Sequence, residues 1–202
     1  YGASLPNGMM YEQNTSREVG YTNIVIPELN KISEITKYIA SSQKVAIVAG
    51  GIINYKSDEE LENLGVTKED LIIASETAYL RTDSSITSQT ITQSDQLLNN
   101  GEAIASALTK DIGDGKTSRL VLSANAMFVS DWLITLNSSS STSSSSDRPA
   151  INFYKNREFL INSISYLTGR KDNIVLRKDT GILTYAPTAK EDAVVRNINY
   201  QQ

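Results

Sequence analysis

The chain is expected to be an α/β protein: a mixed, partly parallel sheet flanked by helices. Three observations predict this. The runs Lys44 to Ala49 (KVAIVA) and Asp70 to Ser75 (DLIIAS) are apolar without polar alternation, the pattern of strands buried on both faces. Segments with apolar residues three and four apart lie at 32–39 and 156–167, around these runs. The stretch Asn156 to Gly181 then reads as helix, turn and strand in succession, the unit from which layered sheets are built.

From the N-terminus, Pro6-Asn7-Gly8 reads as a turn leading into a strand over GMMYEQN, and Thr22 to Ile26 as a second strand closed by Pro27. Ile32, Ile35, Tyr38 and Ile39 have helical spacing ahead of KVAIVA. Asp58, Glu59, Glu60, Glu62 and Lys68 mark a solvated helix or loop before DLIIAS. Residues 82–100 are almost all Thr, Ser, Gln, Asn and Asp, which predicts a long surface loop. Around Asp111 to Lys116 (DIGDGK) a tight turn before Arg119-Leu120-Val121-Leu122 makes a hairpin over 102–123. The spacing of Ile104 and Leu108 alone also fits a helix.

The serine tract at 138–147 cannot bury apolar surface and is expected to be a flexible loop. Patterned sequence resumes at Ile151, so 1–202 is expected to be a single domain with that loop inside it. In the last patterned segment, Asn156 is placed as the helix cap, Leu160, Ile161, Ile164 and Leu167 as the core-facing stripe, and Gly169 as the stop. Ile174 to Leu176 follows as a short strand.

With 202 residues and 40% hydrophobic content the chain can bury a sizeable core. Its net charge of −4 lacks the basic footprint of a nucleic-acid binder. Histidine and cysteine are absent altogether, which removes Ser-His-Asp triads, cysteine nucleophiles and imidazole or thiolate metal sites. Carboxylate, lysine and tyrosine chemistry remain open. The chain begins at Tyr1 and ends on a polar run, as a piece cut from a longer protein would.

Several segments could carry chemistry. Gly50-Gly51 follows a strand, where backbone amides can hold phosphate, but no complete phosphate-loop motif surrounds it and a simple turn explains it. Ser41 to Lys44 matches S-x-x-K without the companion motifs of serine acyl-enzymes. Asp111 to Gly115 resembles part of a calcium loop lacking its terminal glutamate, and a hairpin turn accounts for its glycines. The segment Ser118 to Asp131 ends a strand where α/β sheets often build sites, so Asn125, Ser130 and Asp131 are candidates to bind a polar ligand or partner; caps and turns use the same residue types.

Read together, GMMYE, NIVIPELNKISEIT, SETAY, GEAIASALTK, SRLVLSANAMFVSD and NREFLINSISYLTGRKDNIVLRK resemble one family: the extracytoplasmic domain of ABC-type transport-system auxiliary proteins, which includes gliding-motility-associated members. Asn156, Phe159, Asn162, Leu167, Gly169 and Arg177 stand at positions matching its C-terminal motif. Ser123 stands where the family has glycine, Tyr166 where it has tryptophan, and the serine tract is an insertion. The resemblance implies a glutamine-amidotransferase-like sheet with flavodoxin-like layering and no catalytic residues or cofactor, and it favours strand over 102–110. It also implies transmembrane helices outside these residues, with permease and ATPase subunits as partners. The expected function is a non-catalytic accessory domain outside the cell membrane, binding a partner protein or an exported substrate. A carboxylate-dependent hydrolase using Asp131 and Asp114 is a second reading, and a small-ligand binder, such as a carbohydrate module using some of the ten tyrosines, a third.

Overall fold

The computed structural model describes residues 1–12, 24–40, 44–48, 50–86, 90–99, 101–127, 155–170 and 174. The serine tract, Ser130, Asp131, Arg177 and the S-x-x-K serine all lie outside these residues.

The dominant element is a four-stranded sheet in the order β11-β10-β7-β4, formed by β4 (Glu28–Leu29), β7 (Val66–Ile73), β10 (Ala103–Asp111) and β11 (Thr117–Ser123). A second sheet, β2-β8-β9, joins β2 (Met9–Glu12), β8 (Ala78–Arg81) and β9 (Gln96–Leu97). Two-stranded pairs complete the set: β1 (Ala3–Ser4) with β6 (Asn54–Tyr55), and β3 (Ile24–Val25) with β5 (Ile47–Val48). Three helices are described, α1 (Lys37–Ala40), α2 (Asp58–Asn63) and α3 (Asn156–Leu167).

Every strand pairing among the described residues is antiparallel. The expected mixed, partly parallel, helix-flanked sheet of amidotransferase-like or flavodoxin-like layering is therefore overturned. Parallel neighbours need a crossover of a dozen or more residues, usually a helix. Here α1 has four residues and α2 six, too short to cover a sheet face. The apolar runs misled because continuous burial does not require parallel pairing. The stretch from Ala103 to Leu108 is buried residue after residue, although β10 pairs antiparallel with both of its neighbours. Its alanines are buried together with Ile104 and Leu108, and the buried Ser106 hydroxyl donates to Asp70 Oδ1 at 2.7 Å.

The β10–β11 hairpin pairs Ala105 with Ser123 through Asp111 with Thr117. Its turn places Gly113, Asp114 and Gly115 all at positive φ, a conformation in which two glycines carry no side-chain penalty. The main core gathers Met10, Ile47, Leu71, Ile72, Leu80 and Ile104, among others, between the sheets, with Phe159 closing it from α3. A smaller cluster, Leu61, Val66 and Leu108, sits under α2. That helix starts with a capping box, Ser57 Oγ accepting from the Glu60 amide at 3.3 Å and the Glu60 carboxylate from the Ser57 amide at 3.2 Å.

The helix expected over 32–39 is shorter. Asn30 Oδ1 accepts from the Ile32 and Ser33 amides, drawing this segment into turns before α1, and Ile32 is 87% exposed while Ile35 and Ile39 are buried. The apolar stripe expected on α3 is also corrected. Ile164 and Leu167 are exposed, and the buried positions are Asn156, Phe159, Asn162, Ser163 and Ser165. Asn156 is the first residue of α3 and Lys155 its N-cap, without a side-chain cap bond. At the other end Gly169, at φ 72°, donates to Tyr166 O while Arg170 donates to Ser165 O, a Schellman closure. Ile174, in the run expected as a strand, is buried and helical.

Candidate binding site

Two regions among the described residues bring together polar side chains from distant parts of the sequence. The first is a seam between α3 and the segment around β5. Asn156 Oδ1 accepts from the Ala46 amide at 2.9 Å and its Nδ2 donates to Ala46 O at 2.7 Å, so the side-chain amide pairs with that peptide as a neighbouring strand would. The Lys155 amide donates to Lys44 O at 2.8 Å, extending the same edge. One turn and a half along α3, Asn162 Nδ2 donates to Ile35 O at 2.9 Å. Asn125, just beyond β11, donates from Nδ2 to Val48 O at 2.7 Å, while its Oδ1 is buried without a partner among the described residues.

Gly50 and Gly51 belong to this seam. A Cβ on Gly50 would lie 2.4 Å from Ile47 Cγ2 and 3.0 Å from Asn125 Nδ2, so glycine is needed for the close approach. The Gly51 amide donates to Ala124 O at 2.9 Å and is committed to structure rather than open to a phosphate. Phe159 is buried in the main core, Leu167 is exposed at the end of α3, and Gly169 closes the helix. The structure thus brings Asn125, Asn156 and Asn162 onto backbone between residues 35 and 48. Asp114 stands apart, exposed in the β10–β11 turn. In that turn Asp111 Oδ1 accepts from the Gly113 amide at 2.8 Å, and no group of acidic residues that could hold a metal ion occurs among the described residues.

The second region is the outer face of β2-β8-β9. Directly opposed residues share a face, and the pairings Met9 with Arg81, Tyr11 with Tyr79 and Tyr79 with Leu97 put these side chains together, while Met10 and Leu80 point into the core. The Tyr11 and Tyr79 rings stack with centroids 5.5 Å apart and planes within 12°, a cross-strand aromatic pair contributing about 0.5–1.5 kcal/mol beyond burial. The Arg81 guanidinium lies 5.1 Å from the Tyr11 centroid and 5.4 Å from that of Tyr79.

Arg81 is held by the segment that the sequence reads as a surface loop. Its Nε donates to Asp95 Oδ1 at 2.8 Å and its Nη2 to Asp95 Oδ2 at 2.7 Å, with the side chains 3% and 1% exposed. Nη2 also donates to Thr90 O at 3.0 Å, and the Thr92 amide and hydroxyl donate to Asp95 Oδ2 at 2.7 and 3.0 Å. Hydrogen bonding from Arg81 outweighs burial, and with Thr92 it lowers the Asp95 carboxyl from 3.8 to about 2. The same bond raises Arg81 above its ordinary value. Nearby, at the end of β2, the buried Glu12 accepts from the Ser75 hydroxyl and, at 2.5 Å, from the Thr77 hydroxyl.

A cavity of 320 Å³ opens on this face, lined by Gly8, Met9, Tyr11, Arg81, Thr82, Asp83, Ser84 and Ile86. Met9 is 37% exposed and Leu97 52%. Asp83 Oδ1 accepts from the Ser85 hydroxyl at 2.6 Å and amide at 2.9 Å, bonds that lower its pKa and keep it ionised.

Sequence reasoning missed this region because Arg81 and Asp95 are separated by a polar run without apolar periodicity. A signal was present: Arg81 ends the otherwise uncharged strand AYLR, and Thr92-x-x-Asp95 has the spacing at which an aspartate accepts from a turn amide. In comparisons with protein-family models, with curated proteins and with solved structures, the chain matches none.

Proposed function

We propose that the chain is a non-catalytic accessory domain of a membrane ABC transport system, on the extracytoplasmic side, where it binds or positions a partner protein or an exported substrate. Permease and ATPase subunits are its partners in this reading. The transporter assignment is supported by the motif resemblance alone, and the amidotransferase-like sheet that came with it is not part of the proposal. No helix among the described residues is long and apolar enough to cross a membrane; the anchoring helices in this reading come from the resemblance.

The observation that carries the non-catalytic reading is the use of the motif amides. Asn156 and Asn162, together with Asn125, direct their side chains to backbone at Ala46, Ile35 and Val48. These three amides therefore act as frame, and the sequence has no histidine or cysteine to supply an amidotransferase mechanism. The cavity beside Tyr11 and Arg81 favours a small exported substrate over a docked protein.

Affinity purification of the natural gene product from its own membranes tests the transporter assignment. Permease and ATPase subunits are expected to co-purify; their absence would overturn it. A broad hydrolase screen of the purified chain is expected to show no turnover, and turnover abolished by Asp131→Ala would replace the non-catalytic reading with the hydrolase one.

A further inference from the structure

The geometry points to a neutral carbohydrate, one or two pyranose rings in size, as the ligand of the cavity on the outer face of β2-β8-β9. This inference rests on the non-catalytic binding reading, though not on the transporter assignment. The volume of 320 Å³ lies at the small end of ligand pockets, which span roughly 300–1,000 Å³.

The walls divide into two chemistries. On one side are the partly exposed Tyr11 ring and the Met9 thioether, held in place because Tyr11 stacks on the fully buried Tyr79. On the other are Thr82, Asp83 and Ser84, exposed in the turn that follows β8, with Asp83 Oδ1 accepting from Ser85 and its second carboxylate oxygen left for a ligand hydroxyl. A pyranose has the matching halves: an axial C–H face that packs on an aromatic ring, and equatorial hydroxyls that donate to a carboxylate and exchange hydrogen bonds with alcohols.

Charge excludes the competing ligands. Asp95 already engages Arg81 in a bidentate pair, so an anion entering the cavity finds its cation neutralised and the ionised Asp83 facing it. A cation would be drawn by Asp83 alone, whose Oδ1 already accepts from the Ser85 hydroxyl and amide. A wholly apolar ligand would strip water from Asp83, Thr82 and Ser84 without replacing their hydrogen bonds. A neutral polyhydroxylated ring avoids all three penalties.

The test is ligand-observed saturation-transfer NMR and calorimetry on the purified chain with D-glucose, D-galactose, D-mannose, N-acetyl-D-glucosamine and their β-linked disaccharides, with inorganic phosphate and spermidine as charged probes. At least one neutral sugar is expected to bind with a Kd on the order of 1 mM or tighter. Tyr11→Ala and Asp83→Asn are each expected to weaken it about tenfold, with Tyr11→Phe retaining it. Ser84→Trp, an exposed substitution at the cavity mouth, is expected to abolish binding with the thermal transition unchanged, which covers the case in which Tyr11→Ala disturbs folding. Absence of binding by every neutral sugar, binding of a charged probe instead, or sugar binding indifferent to Ser84→Trp would overturn the assignment. If sugars fail while transporter subunits still co-purify, only the ligand class is wrong; if a sugar is cleaved, the non-catalytic reading falls with it.

Discussion

The α3 seam and the outer face of β2-β8-β9 solve the same problem with different chemistry. Each ties a distant chain segment to a strand, Asn156 reaching Ala46 across 110 residues and Arg81 reaching Asp95 across 14. The seam uses neutral amides that imitate backbone. Its bonds need no charge and are indifferent to pH. The outer face uses a buried ion pair, which holds one geometry tightly but leaves a large penalty if either member is lost. A neutral seam suits a permanent frame, while a rigid charged floor suits a surface that must stay in shape when a ligand comes and goes.

The largest effect should come from the ion pair. Asp95→Ala leaves the Arg81 guanidinium buried without its partner and is expected to cost about 3–5 kcal/mol in urea unfolding. A cost below that of the seam variants would mean solvent reaches Arg81 freely. The pair also sets a pH dependence. The folded Asp95 carboxyl is depressed from 3.8 to about 2, so its contribution is fully present above the unfolded value and is lost as pH falls through the window from about 4 to 2. Stability should decline over that window, and Asp95→Asn should remove that part of the decline.

Next is the seam. Asn156→Ala removes one donor and one acceptor from the buried Ala46 peptide and should cost about 2–3 kcal/mol, with no change in its pH profile between 4 and 2. A pH-dependent penalty there would erase the contrast between the two regions. Gly169→Val forces a β-branched residue to a φ of 72° and should cost about 1–2 kcal/mol by thermal denaturation while leaving ligand binding intact at low temperature. Smallest of all, Ile164→Ser on the exposed side of α3 should shift stability by less than about 0.5 kcal/mol. A larger loss would restore Ile164 to the core that the sequence pattern gave it.

How far the sequence disclosed this arrangement depended on whether a signal was local. The β10–β11 hairpin was legible because Gly113 and Gly115 bracket a turn between two apolar runs. Strand direction was not, because continuous apolar character reports burial and says nothing of how the partner runs. On α3 two stripes share the helical period, and aliphatic content favoured Leu160, Ile164 and Leu167. The structure instead buries Asn156, Phe159, Asn162 and Ser163, since the partner surface includes backbone edges at Ile35 and Ala46 that require amides. Asn125 could be placed at a strand end, but its bond to Val48 O depends on a contact 77 residues away. The Arg81–Asp95 pair was hidden for the same reason, inside a polar run that looked like solvent-facing loop.

The division of labour between frame and face is tested most directly by amide chemical-shift mapping of the labelled chain during titration with the neutral sugar panel. The account predicts shifts grouped at Gly8 to Tyr11 and Arg81 to Ile86, with the amides of Ala46, Asn156 and Asn162 unmoved. Shifts centred on the α3 seam, with the outer face silent, would contradict it.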